Sequence, residues 1–281
     1  MRKLTLKITP DMEGREVKAL LKSELGLSSS LIKRIKQMDE GVMLNGCRVF
    51  VNARVSAGDV LSAAVGEENP PIAHGMAVYA DDDIVIIDKP AGMEVHPGPL
   101  SGGSPTVMDI IAQGRSFHPV NRLDRGTTGL MAIAANGYIH DCLRKQLHTE
   151  TFVREYLAVT EGIPYPMSGI IELPIGRQGA VKRMICENGA PAVTQYATEA
   201  VNSGRALVRM RLKTGRTHQI RVHMAAIGCP LAGDWLYGRE DRELITRPAL
   251  HSARIALVHP VTGAGIDISS PLPRDMDMLM R

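Results

Sequence analysis

The 281-residue sequence predicts an α+β protein with a small N-terminal unit and a larger second domain. Three observations lead there. Alternating apolar residues and helical spacings share the first 66 residues. A polar, proline-containing stretch follows them. Beyond it, apolar strand runs and hairpin turns are interspersed with separate helical stretches.

In the first unit, residues 1–66, Leu4, Leu6 and Ile8 alternate with polar neighbours as in a strand. Val17, Leu20, Leu21 and Leu25 recur at helical spacing, and Gly26 stops them. Ser28 to Ser30 can cap a second short helix carrying Leu31, Ile32 and Ile35, with Lys33, Arg34 and Lys36 alongside. Asn45-Gly46 signals a hairpin between Val42-Met43-Leu44 and Val49-Phe50-Val51. Residues 67–75 read as a linker, extended at Pro70-Pro71. Residues 76–281 form the second domain.

There, Ile84-Val85-Ile86-Ile87 is a continuous apolar run that reads as a core strand. A loop, Asn121-Arg122-Leu123-Asp124-Arg125-Gly126-Thr127-Thr128-Gly129, precedes the apolar strand Leu130 to Ala135. It sets one carboxylate between two guanidinium groups at the edge of a core element. Such an acid can act as a nucleophile or stabilise positive charge; it can equally be a surface turn with local ion pairs. Ile139, Leu143 and Leu147 have helical spacing, and Glu155 to Thr160 is a strand containing Tyr156. Ala192 to Val201 and Arg205 to Leu212 flank the hairpin turn Asn202-Ser203-Gly204. From Arg205 through His223 there are six Lys or Arg and no acid, which fits a solvated strand face or a phosphate-facing wall. Ile220, Met224 and Ile227 share a helical face that Thr217 can cap and Gly228 can stop. His218 and His223 are five apart, about 140° around a helix, so they cannot share one metal ion. A last hairpin turns at Thr262-Gly263.

Composition narrows the function. The hydrophobic fraction is 44% and the charged fraction 22%, as in a globular protein with a substantial core. No apolar run reaches membrane-spanning length. Cysteines 47, 142, 186 and 229 are scattered, which suits a reducing compartment and the cytoplasm and argues against a zinc ribbon. The net charge of +3 permits an acidic partner without demanding one. Aromatic residues make up only 4%, so platforms for stacking bases are scarce.

Several motifs occur in one order: Lys89-Pro90-Ala91-Gly92 with Val95-His96-Pro97; Arg122-Leu123-Asp124-Arg125 with Thr127-Thr128-Gly129; Arg154-Glu155-Tyr156-Leu157-Ala158; Thr214 to His223; and Gly233-Asp234 with Leu236-Tyr237-Gly238. Together they resemble the RluA family of RNA pseudouridine synthases over nearly all of residues 75–281. The first unit is similar to an S4-type RNA-binding domain. The resemblance implies a large mixed, mostly antiparallel sheet with a central cleft. It implies conversion of uridine to pseudouridine in ribosomal RNA, most simply of the large subunit, or in transfer RNA, with no cofactor and no metal. Asp124 would be the essential carboxylate, Tyr156 would pack on the uracil and Arg221 would pair with Asp124. Arg122 would fill the gap left by a flipped uridine, and Arg125, Arg216, Lys33, Arg34 and Lys36 would contact RNA. Many members have His where this chain has Asn121 and Ser where it has Thr128. A monomer is expected. Two other readings stand beside this one: a non-catalytic RNA-binding or ribosome-assembly protein, and a glycoside hydrolase. The hydrolase would want a second acid that no motif supplies.

Overall fold

A computed structural model describes residues 1–66, 75–97, 103–113, 116–147 and 149–281. The expected linker falls outside them except for Gly75. The first unit comprises β1 (Arg2–Lys7), α1 (Val17–Ser23), α2 (Ser29–Ile35), β2 (Val42–Leu44), β3 (Cys47–Arg48) and β4 (Val60–Gly66). Its sheet has the order β1-β4-β2-β3. The expected cap forms: the Ser28 hydroxyl accepts from the Leu31 N–H at 3.2 Å. The expected strand Val49-Phe50-Val51 does not form. The chain leaves the sheet after Arg48, and the Val51 and Ala53 carbonyls accept from Lys18 N–H and Val17 N–H at the start of α1. Those N–H groups have no partner within the helix, so the segment is more useful there than as a strand.

The rest of the chain begins with β5 (Ala77–Ala80), β6 (Ile84–Lys89), α3 (Val107–Ala112), β7 (His118–Pro119), β8 (Thr128–Ala134), α4 (Gly137–Gln146) and β9 (Val153–Glu161). It continues with β10 (Ser168–Glu172), β11 (Ile175–Gln178), β12 (Lys182–Ile185), β13 (Val193–Asn202), β14 (Arg205–Leu212), α5 (Gln219–Ala226), β15 (Leu250–Val258), β16 (Gly265–Ser269) and α6 (Arg274–Met278). Ten strands form one mixed sheet with the path β10-β13-β14-β9-β15-β8-β6-β5, while β16 pairs with β15 and β7 with β8. Among the described residues only β8 and β15 run parallel. A large, mostly antiparallel mixed sheet is what the resemblance implies.

The apolar runs of β6 and β8 are continuous because both faces of the sheet are covered there. Ile84, Ile86, Leu130, Ala132 and Ala134 point into one core, which also holds Tyr138, Ile139 and Leu143 of α4 and the interior of the first unit. Val85, Ile87, Met131 and Ile133 point into the other, with Tyr156, Met210 and Ile220. The first unit therefore shares a hydrophobic core with one sheet face. Tyr138 reinforces the join by donating to the Leu25 carbonyl at 3.0 Å, and Arg2 pairs with Asp83 at 2.7 Å.

The basic run on β14 is the solvated face and not a phosphate wall. Arg205 pairs with Glu161 at 3.1 Å, Arg209 with Glu155 at 3.3 Å and also with Glu199, and Arg211 with Glu150 at 2.6 Å. Lys213 shares Glu150. Acids from other elements, distant in sequence, neutralise the stripe.

Candidate active site

Asp124 lies on the turn between β7 and β8, with its side chain 28% exposed. The turn closes through Thr127 N–H to the Asp124 carbonyl at 3.0 Å. Gly129 then enters β8 at φ 104°, and a Cβ there would lie 2.3 Å from the Ser252 carbonyl oxygen. Only glycine permits that approach between β8 and β15. The neighbouring Lys89-Pro90-Ala91-Gly92 turn is stitched to the Asp124 turn. Arg125 Nε donates to the Gly92 carbonyl at 3.0 Å, and Gly92 N–H donates to the Arg125 carbonyl at 2.9 Å. Lys89, fully buried, donates from Nζ to Pro90 and Met93 carbonyls at 2.9 Å and to the Arg125 carbonyl at 3.3 Å. Burial lowers its pKa to about 8, opposed by the charge of Asp124. Arg247 supports the turn from the other side: its Nη1 donates to the carbonyls of Gly126, Pro248 and Leu250, while Nε and Nη2 hold Asp275.

Helix α5 brings Arg221 to this acid. Arg221 Nη1 stands 3.5 Å from Asp124 Oδ2. Its tighter partner is Asp234, a fully buried carboxylate that accepts from Nε and Nη2, both at 2.7 Å. Burial pulls the Arg221 pKa down, but its bonds to Asp234 outweigh this and the net shift is upward. Asp234 thus aims the guanidinium so that one remaining edge faces Asp124.

His218 precedes α5 in the left-handed region, at φ 58°. Thr217 therefore is not the N-cap, as the helical pattern suggested. Gln219 serves this corner instead, its side-chain oxygen accepting from Arg216 N–H at 2.9 Å and from the Thr214 hydroxyl at 2.8 Å. The unusual backbone turns the imidazole toward the site, with Nε2 3.7 Å from Asp124 Oδ2 and Nδ1 2.8 Å from the Tyr237 hydroxyl. The Tyr237 oxygen accepts from Arg183 N–H at 2.8 Å, leaving its proton for Nδ1. A neutral ring then carries its hydrogen on Nε2, facing the carboxylate. Burial lowers the His218 pKa, with Asp124 opposing.

Tyr156 sits on β9 in register with Met210 and Ser252, 5% exposed. Burial raises its phenol pKa; Arg154 opposes this and Asp124 adds to it. Arg154, two residues earlier, is 6% exposed, its Nε has no hydrogen-bond partner, and no ion pair holds it among the described residues. Asn121 Nδ2 is a second buried donor without a partner, while Asn121 Oδ1 accepts from Ala132 N–H at 2.9 Å. The Thr128 hydroxyl lies 2.9 Å from His251 Nδ1. Both departures from the family pattern therefore keep a hydrogen bond.

Two cavities meet at Asp124. One, of about 720 Å³, is lined by Asn121, Arg122, Arg154, Tyr156, Arg183 and Arg216. The other, of about 670 Å³, is lined by Arg125, His218, Arg221, Val181, Trp235 and Arg247. Of the residues expected from the motifs, the structure brings together Asp124, Tyr156, Arg221, Arg122, Arg125 and Arg216. Lys33 and Arg34 are exposed on α2, Lys36 is exposed just after it, and none of the three lines either cavity. Arg34 approaches the large sheet closely enough for its charge to help lower the His118 pKa, after burial. Sequence reasoning missed Lys89, His218 and Asp234 as parts of the site, and Arg154 and Asn121 as free donors. Each lies within or beside a quoted motif, but its role needs a partner remote in sequence. Among the described residues no group of three His, Cys, Asp or Glu is placed to hold a metal ion, and no helix is long and apolar enough to cross a membrane.

The buried histidines make stability depend on pH. Burial lowers the pKa of His223 and His251, as it does for His218. Unfolded histidines protonate as pH falls through about 6.5, while these folded ones do not until lower pH. The unfolded chain then binds more protons, so stability falls with pH, by roughly 1.4 kcal/mol per pH unit for each proton of difference. Thermal melts at pH 7.5, 6.5 and 5.5 should show a declining midpoint. A flat profile would contradict this account.

Comparison with known proteins agrees with the geometry. The family model described as RNA pseudouridylate synthase matches residues 83–226. The uncharacterized RNA pseudouridine synthase YhcT of Bacillus subtilis is 34% identical, covering 100% of this chain and 97% of that one. The ribosomal large subunit pseudouridine synthase D of Haemophilus influenzae is 33% identical, covering 96% and 87%. In structure, the human RNA pseudouridylate synthase domain containing 4 protein matches with a TM-score of 0.58 at 25% identity, covering 72% of this chain and 90% of that one. With a family model across the core of the sheet and relatives aligned end to end, the chain belongs to the RNA pseudouridylate synthase family, isomerases that act on RNA.

Proposed function

We propose that this enzyme isomerises uridines of large-subunit ribosomal RNA, with Asp124 as its essential carboxylate. One observation carries the assignment of the acid. Asp124 stands where two cavities meet, with Arg221 and His218 on one side and the buried ring of Tyr156 near the other. The ribosomal substrate rests on the relatives named for the ribosomal large subunit.

The reaction breaks the N1–C1′ bond, turns the uracil and joins C5 to C1′, with loss of the C5 proton. Asp124 supplies the negative charge that the reacting sugar or base requires, and Arg221, held by Asp234, keeps that charge aimed. Tyr156 has a raised pKa, so its phenol is neutral and suited to pack against the uracil; the C5 proton leaves to solvent while N1, freed from C1′, takes one up. Arg154 and Asn121 line the cleft beside Tyr156 and add positive and hydrogen-bonding character to that wall. Arg122 enters the stack when the uridine leaves it, a step costing a few kcal/mol. Arg216 and Arg125 hold the RNA at the cleft. Lys33, Arg34 and Lys36 hold its backbone on an S4-like first unit. The same reading takes the enzyme as a monomer acting in the cytoplasm.

The test is tritium release from RNA labelled at uridine C5. Release is expected from an unmodified large-subunit ribosomal transcript and not from transfer RNA. Release from transfer RNA alone would overturn the substrate; release from neither would overturn the proposal.

A further inference from the structure

We propose that Trp235 is a stacking platform for a base next to the target uridine, on the side of Asp124 away from Tyr156. The inference rests on the reading that RNA occupies the Asp124 cleft. Trp235 is the chain's only tryptophan, and its side chain is 57% exposed within a lining wall of the second cavity. An indole with no structural duty is ordinarily buried or removed from the surface, because it exposes so much apolar area.

Its backbone is held on both sides. Asp234, fully buried against Arg221, accepts from Leu236 N–H at 3.1 Å and Tyr237 N–H at 3.3 Å, and its carbonyl accepts from Gly238 N–H at 2.8 Å. The residue that aims Arg221 therefore also fixes the chain beside it, while the next side chain points outward. A rigid aromatic loses little freedom when a base stacks on it. Among the described residues nothing hydrogen-bonds the indole N–H.

The two cavities differ in the chemistry they offer. In the first, no carboxylate pairs with Arg122, Arg154, Arg177 or Arg183 among the described residues, so they are available to phosphates. In the second, Arg221 is committed to Asp234 and Arg247 to Asp275, and Arg125, which bonds the Gly92 carbonyl, is the one arginine of the three without a carboxylate among the described residues. Glu94 lines that cavity too, together with the apolar Val181 and Leu236, while Asp124 lines both. Such a wall suits a neutral base better than a phosphate. At about 670 Å³ it lies in the size range of ligand clefts. A strand whose uridine reacts at Asp124 extends to both sides of that point. Its backbone lies along the arginines and its next base lies on Trp235.

Because tryptophan occurs once, emission excited at 295 nm reports this position alone. The probes are a 12-nucleotide oligouridine and an abasic oligomer of the same length, titrated into the full-length protein. Oligouridine should quench the emission and the abasic oligomer should not. In anisotropy titrations with labelled oligouridine, Trp235→Ala should weaken binding by about tenfold, the scale of one base–aromatic stack, and Trp235→Phe should recover most of it. In tritium release the alanine variant should raise KM more than it lowers kcat. Thermal melts of both variants establish that they are folded. Silent emission, or wild-type affinity in the alanine variant, overturns the stack while wild-type turnover persists. If the wild type neither binds RNA nor releases tritium, the proposed function falls and the stack with it.

Discussion

Asp124→Asn is expected to lower kcat for tritium release by roughly a thousandfold or more, the scale seen when a residue that acts only in the transition state is removed. The amide keeps the size of the carboxylate and loses its charge. Arg221 retains both of its 2.7 Å bonds to Asp234, so the buried ion pair survives. The turn is held by Lys89, Arg125 and Arg247 through backbone carbonyls, none of which involves the Asp124 side chain. Asp124 is partly exposed, and its 3.5 Å contact with Arg221 is worth at most about 1 kcal/mol to stability. Thermal midpoint and RNA affinity should therefore stay close to wild type. Turnover within tenfold of wild type would remove Asp124 from the essential role.

The same site shows what was legible in the sequence and what was not. Period-2 and period-3.6 patterns placed the strands and helices that build the cleft, because apolar periodicity records which face is covered. The Asp124 turn was legible from its small residues and following apolar run. Val49 to Val51 misled, since β-branched residues also serve where a chain crosses a helix start. The basic run from Arg205 to Lys213 stayed ambiguous because its acids, Glu150, Glu155, Glu161 and Glu199, belong to other segments. Thr217 was a plausible cap by residue type. The left-handed backbone of His218, which displaces it, is fixed by contacts with Tyr237 and the Asp124 turn. Lys89 looked like any lysine beside a proline until the three carbonyls around it came together. Arg221 was expected to pair with Asp124, and the structure adds a stronger claim on it from Asp234. Pairing across thirteen residues through a helix and a turn has no periodic signature.

Arg221→Ala is expected to damage the fold and the chemistry together, and the two can be separated. The substitution leaves Asp234 fully buried with two backbone N–H donors and no counter-charge. Breaking a buried pair in this way costs about 3–5 kcal/mol, or roughly 6–20 °C in thermal midpoint for a protein of this size. Activity should fall as well, since Asp124 loses the guanidinium that faces it. Replacing both partners, Arg221→Met with Asp234→Leu, removes the uncompensated charge. Stability should then return in part, because an apolar pair of similar volume avoids the desolvation cost, while the Leu236 and Tyr237 N–H groups lose the acceptor that Asp234 gave them. Turnover should not return with it. If the double variant recovers both, Arg221 acts only by holding the fold. If it recovers stability and remains at least a hundredfold slow, the guanidinium works on the charge of Asp124, and Asp234 is the residue that keeps it aimed.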